Sequence, residues 1–107
     1  MKIKRGVILG DVTTQMWFVI VCAAEIWQEL GQELVITSAR DGKHKTDSLH
    51  YVGYALDFRI RYFEGDDAYH AAERLQQKLG PDYQVILKPT HIHVEWDKAK
   101  SLGFEIA

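Results

Sequence analysis

Residues Ser48 to Asp57 read S-L-H-Y-V-G-Y-A-L-D, and residues His91 to Glu95 answer them with H-I-H-V-E. These two stretches decide how the rest of the chain is read. They concentrate imidazole and carboxylate groups, the side chains that bind first-row metals and move protons near neutral pH. The run from Tyr54 to Tyr62, Y-A-L-D-F-R-I-R-Y, alternates as a half-buried strand does. Leu56, Phe58 and Ile60 then face one way and Ala55, Asp57 and Arg59 the other, so a carboxylate stands on the less apolar face. Gly53 permits a tight turn that would fold His50, seven residues before Asp57, back over the strand. The same period of two places His91, His93 and Glu95 on one face of a second strand and Ile92, Val94 and Trp96 on the other. Two imidazoles and a carboxylate on one face are costly to bury without partners, and a metal ion would be such a partner.

Two histidines and an aspartate make the three-ligand set of a catalytic zinc, which keeps its fourth position open for water. A structural zinc is usually closed by four ligands, most often including Cys, and this chain has one Cys. The water needs a base beside it, a role open to a histidine of the H-x-H pair or to Glu95.

The string Ser48-x-His50-x-x-Gly53-x-Ala55-x-Asp57, followed by His91-x-His93, resembles the M15-type zinc peptidases. These are the D-alanyl-D-alanine carboxypeptidases and L-alanyl-D-glutamate endopeptidases that include phage endolysins. Ser38-Ala39-Arg40 is similar to the S-G-Y-R segment they carry, and the resemblance spans roughly residues 34 to 97. It implies that His50, Asp57 and His93 ligate Zn2+ and that His91 is the neighbouring base-side histidine. It also implies that Arg40 holds substrate or stabilises the developing oxyanion, with Ser48 near the metal on the substrate side. The implied fold is α+β: a small single domain with a mainly antiparallel sheet, two helices and the zinc site on the sheet, as in Hedgehog and DD-peptidase-like domains. The implied reaction is zinc-dependent hydrolysis of a peptide bond in peptidoglycan stem peptides. One departure matters. Many relatives place an acidic base three residues before the last ligand, whereas here Lys88 precedes His91 and Thr90 precedes His93. The base is then His91 or Glu95, or the domain is a catalytically inactive zinc-binding, phage structural or regulatory one.

A length of 107 residues bounds the chain to one domain, 1–107, with a modest core. Hydrophobic content of 47% and charged content of 26% are those of a globular protein. A formal net charge of −2 argues against a nucleic-acid partner and leaves a peptide substrate open. Cys22, alone in an apolar run, rules out an internal disulfide framework and reads as a packed core thiol. Residues 1–10 begin basic and turn apolar, but Asp11 and Thr13-Thr14-Gln15 interrupt the run before it reaches signal-peptide length. Met16 to Ala24 falls short of the roughly 20 residues that cross a bilayer, so no membrane span is expected. The expectation is a monomer made in the bacterial cytoplasm, of phage or prophage origin, that acts at the cell wall or periplasm after release by a separate holin.

The remaining elements follow from periodicity and punctuation. Thr14 to Leu30 reads as a helix started by Asp11, Thr13 or Thr14 and stopped by Gly31, with Trp17, Ile20, Val21, Ala24, Trp27 and Leu30 as its buried stripe. Glu33 to Ala39 reads as a central strand that delivers Arg40 to the rim of the site. Residues 41–47, D-G-K-H-K-T-D, form a polar substrate lip in which His44 is solvated. After a turn at residues 64–67, Ala68 to Leu79 makes an amphipathic helix, with Ala71, Leu75 and Leu79 inside and Arg74, Gln76, Gln77 and Lys78 outside. His70 lies on its surface. Gly80-Pro81 ends it, Tyr83 to Leu87 and His91 to Trp96 form a hairpin, and Leu102, Phe104 and Ile106 add an edge strand or pack across the core.

Overall fold

A computed structural model describes residues 1–10, 12–39 and 53–97. The readings that fall on Asp11, Arg40, His44, Ser48, His50 and the tail at Leu102, Phe104 and Ile106 lie outside the described residues. The elements are, in chain order, β1 (Lys2–Ile3), α1 (Thr14–Glu29), β2 (Val35–Ser38), β3 (Ala55–Arg59), α2 (Asp67–Leu79), β4 (Tyr83–Leu87) and β5 (His91–Trp96). The five strands form one mixed sheet in the order β1-β2-β3-β5-β4. β1 runs parallel to β2, and every other pairing is antiparallel. This is a small α+β domain with both helices on one face of the sheet.

That face is set by the alternation of β3 and β5. Leu56, Phe58, Ile92 and Val94 are fully buried and join the helix residues in one core. Each of these side chains contributes about 1.5–3 kcal/mol through burial. Trp27 of α1 sits at the centre, its ring 5.8 Å from Phe58 and 5.4 Å from Phe63, with its Nε1–H donating to the Arg59 carbonyl at 3.4 Å. The indole thus fills the core without leaving its one polar atom bare.

Helix α1 is rotated relative to the expected stripe. Met16, Val19, Ile20, Ala23, Ile26 and Trp27 are buried, whereas Trp17 is 44% and Val21 65% exposed. Apolar residues surround most of this helix, so hydrophobicity alone does not choose its inner face, and packing against the sheet does. Its ends follow local rules more closely. Gly31, at φ 72°, takes the left-handed position after the Leu30 cap. The Gln32 N–H donates to the Trp27 carbonyl at 2.9 Å and the Gly31 N–H to that of Gln28 at 3.0 Å, a complete Schellman closure. At the other end Thr13 is the N-cap, but its side chain does not cap the helix. Its backbone N–H and its Oγ1 hydroxyl both donate to the Gly53 carbonyl, at 3.1 and 3.0 Å. The start of α1 is thereby tied to the turn that leads into β3, where Gly53 adopts φ 78°.

β2 is central as expected, paired with β1 on one side and β3 on the other. Two further expectations are corrected. Residues Lys2–Ile3, read only as the start of a basic-to-apolar run, pair with Val35 and Ile36. Gln76 is not an outward residue of α2: its Nε2 donates to the carbonyls of Gly80 and Tyr83 at 3.0 and 2.8 Å, and its Oε1 accepts from the Val85 N–H at 3.0 Å. A primary amide carries the same donor and acceptor as a peptide unit, so Gln76 serves as a partner for the outer edge of β4. Cys22 is buried as expected, and desolvation raises its thiol pKa from 9.0.

Candidate active site

The face of the sheet opposite the helices gathers Asp57, His91, His93 and Glu95, the described residues among those the two sequence stretches single out. Asp57 and His93 are direct partners across β3 and β5, and in the same ladder Ala55 opposes Glu95 and Arg59 opposes His91. Directly opposed residues of an antiparallel pair point to the same side, so one register brings a carboxylate and an imidazole together. Asp57 Oδ1 lies 2.8 Å from His93 Nδ1, and Asp57 Oδ2 lies 3.8 Å from His91 Nε2. His93 Nε2 in turn lies 3.4 Å from Glu95 Oε1. The side chains of Asp57 and His93 are only 12% and 14% exposed.

This placement makes His93 a strong base. Burial alone would push its pKa down, but the hydrogen bonds to Asp57 and Glu95, reinforced by both negative charges, raise it from 6.5 to about 9. Without a metal, His93 is therefore an imidazolium held between two carboxylates at neutral pH. His91 is differently placed. Its Nδ1 lies 2.9 Å from Thr90 Oγ1, in the turn of the β4–β5 hairpin, where the Lys88 N–H donates to the His91 carbonyl at 2.8 Å.

A cleft of about 480 Å³ opens beside Asp57 and His91 on this face. Thr37 and Ser38 of β2 form one wall, Pro89 and Thr90 another, and Lys4, Arg59 and Arg61 complete the lining. Ser38 is the partner of Asp57 across β2 and β3, and β3 begins at Ala55, two residues before Asp57. Arg59 and Arg61 were legible as a continuation of the Asp57 face at a period of two. Lys4 was not, because only the pairing of β1 with β2 brings it here. Thr90 was noted for the acid it lacks, not for the hydroxyl it supplies to His91.

Among the described residues no group of three or more His, Cys, Asp or Glu side chains is arranged to hold a metal ion. Asp57 and His93 furnish a pair, with the oxygen and nitrogen donors that zinc accepts. Two ligands at about 2.1 Å on a tetrahedral ion stand about 3.4 Å apart. The 2.8 Å separation of Asp57 and His93, the two proposed ligands that are described, is shorter than that value. His50, Ser48 and Arg40 lie outside the described residues. Compared with known protein families, curated proteins and solved structures, the chain matches none.

Proposed function

We propose that this domain is a zinc-dependent peptidase of the Hedgehog and DD-peptidase-like fold, acting on the stem peptides of peptidoglycan, with His50, Asp57 and His93 as ligands. The observation that carries the reading is the meeting of Asp57 and His93 at 2.8 Å beside an open cleft, on the sheet face that the motif spacing requires. A zinc ion there would supply Lewis acidity and a water of lowered pKa.

The chain's own groups take the remaining roles. Glu95 accepts a hydrogen bond from His93 and fixes the ring, the part a carboxylate plays behind a metal-binding histidine. That engagement makes His91 the better base. When His91 Nδ1–H donates to the Thr90 hydroxyl, Nε2 is left as an acceptor turned toward Asp57 and the cleft. Thr90 then compensates for the acid missing from its position by setting the tautomer of its neighbour. Arg40 and Ser48 are assigned to the substrate side, with Arg40 stabilising the oxyanion, a contribution of about 3 kcal/mol for one well-placed donor. The chain is proposed to act as a monomer at the cell wall or periplasm, as a phage or prophage enzyme.

The test is digestion of defined stem peptides with zinc and after chelation, with the products read by mass spectrometry. Cleavage that chelator removes and zinc restores supports the reading, and fragment masses name the bond. His50→Ala should lose metal and turnover together, whereas His91→Ala should keep metal and lose turnover. Full turnover in both His91→Ala and Glu95→Ala would refute the base assignment. A second reading, a zinc-binding domain without turnover, is favoured by Lys88 and Thr90 where relatives carry an acid. Stoichiometric zinc with no cleavage would select it.

A further inference from the structure

Three cations line the cleft beside the Asp57–His93 pair: Lys4 from the end of β1, and Arg59 and Arg61 from β3 and the turn after it. None of them forms an ion pair with a described carboxylate, whereas Lys2, Arg74 and Lys78 elsewhere pair with Glu33, Glu29 and Glu25. A chain with a net charge of −2 thus gathers around one cleft three cations that no described carboxylate pairs. The Arg61 guanidinium lies 5.1 Å over the Tyr62 ring, which limits its freedom. Arginine presents a planar fork of donors that matches a carboxylate.

From this arrangement we infer that Lys4, Arg59 and Arg61 form a carboxylate-binding subsite for a peptide whose acidic group lies about two residues from the segment facing Asp57. The spacing follows from the strand. Arg59 is two residues beyond Asp57 on the same face, about 7 Å along β3 at roughly 3.3 Å per residue, and an extended peptide advances at the same rate. The carboxylate is either an acidic side chain or a free C-terminus. Three cations on an otherwise acidic chain fall well short of the charge that holds a nucleic-acid backbone. The direction of the substrate rests on the peptidase reading, but the binding of the anion does not.

The test uses the full chain in chelator, so that metal and turnover play no part. Amide shifts are followed by NMR during titration with acetyl-Ala-Glu-Ala-amide, its Gln analogue, and acetyl-Ala-Ala-Ala with a free carboxylate. At least one of the two anionic peptides should bind about tenfold more tightly than the neutral one, with shifts centred on Lys4, Arg59 and Arg61. The peptide that binds identifies the source of the carboxylate. Arg59→Gln and Arg61→Gln should each remove most of that preference, and Arg61→Glu, at an exposed position, should turn it toward a lysine-bearing peptide. Equal affinity for all three peptides would overturn the inference, as would an undiminished preference in both glutamine variants. Selective binding by a protein that takes no zinc would sink the peptidase reading and leave the subsite standing.

Discussion

His93 should make the metal-free protein lose stability as the pH rises from neutral, the opposite of what a paired carboxylate does. Its pKa is about 9 in the fold and 6.5 in an unfolded chain. Between these values the native state holds a proton that the unfolded state has released, so stability falls with rising pH. The contribution is fully present below about pH 6.5 and gone above about pH 9. At 1.36 kcal/mol per pH unit, the rise corresponds to a loss on the order of 3 kcal/mol. The side chain is 14% exposed, so solvent screening reduces this only modestly. The assay is urea unfolding in chelator at intervals from pH 6 to 9.5, for the wild type and His93→Gln. Cys22, whose thiol burial raises above 9.0, adds a loss near the top of that range. It does so in both proteins, and their difference isolates His93. Tyr83, with a phenol raised above 10.0 by burial, stays protonated throughout. A difference between the two proteins that stays flat from pH 7 to 9.5 would refute the argument that His93 is held as an imidazolium.

On the zinc reading, the same proton competes with the metal. Affinity should rise about tenfold per pH unit below about 9 and level off above it, as measured by competition with a chromophoric chelator; a pH-independent affinity would remove His93 from the ligand set. Gln76→Ala removes three hydrogen bonds between α2, its C-cap and β4 and should cost about 1–3 kcal/mol in urea unfolding. A cost below about 0.5 kcal/mol would show that water replaces the amide freely. Gly31→Ala places a side chain at φ 72° and should cost about 1 kcal/mol with no effect on zinc binding. On the peptidase reading, Thr90→Val should lower turnover while leaving zinc affinity unchanged, because the hydroxyl contacts His91 Nδ1 and not the proposed ligands.

Much of the fold was legible because its strands obey a strict period of two. The alternation in β3 and β5 sorted Leu56, Phe58, Ile92 and Val94 from Asp57, His91 and His93, and the sheet buries the first set and gathers the second. Helix ends were legible for the same local reason: Gly31 and Gly80 both take positive φ after a last helical turn. The inner face of α1 was not, because Trp17, Phe18 and Val21 are as apolar as the residues that pack. Nor was the role of Gln76, since its partners at Gly80, Tyr83 and Val85 become neighbours only once β4 lies against α2. β1 was hidden because two residues carry no periodicity.

The site was legible as a set of residues and illegible as a set of bonds, and that difference changes the assignment of roles. From periodicity alone, His91 and Glu95 are equivalent neighbours of His93, one on each side. The register breaks the equivalence. His93 sits directly across from Asp57 and takes it through Nδ1, which leaves Nε2 for Glu95. His91, opposite Arg59, meets Asp57 only at 3.8 Å and finds its hydrogen-bond partner in the hairpin turn, at Thr90. A carboxylate that holds a ligand is a poor proton acceptor for water, because its lone pairs are already engaged and moving them would release the ring. An imidazole anchored through one nitrogen still presents the other, here on the side of Asp57. On the proposed reading, the separation of holder from acceptor follows from a single strand register. Shifting that register by one residue would turn every one of these side chains to the other face.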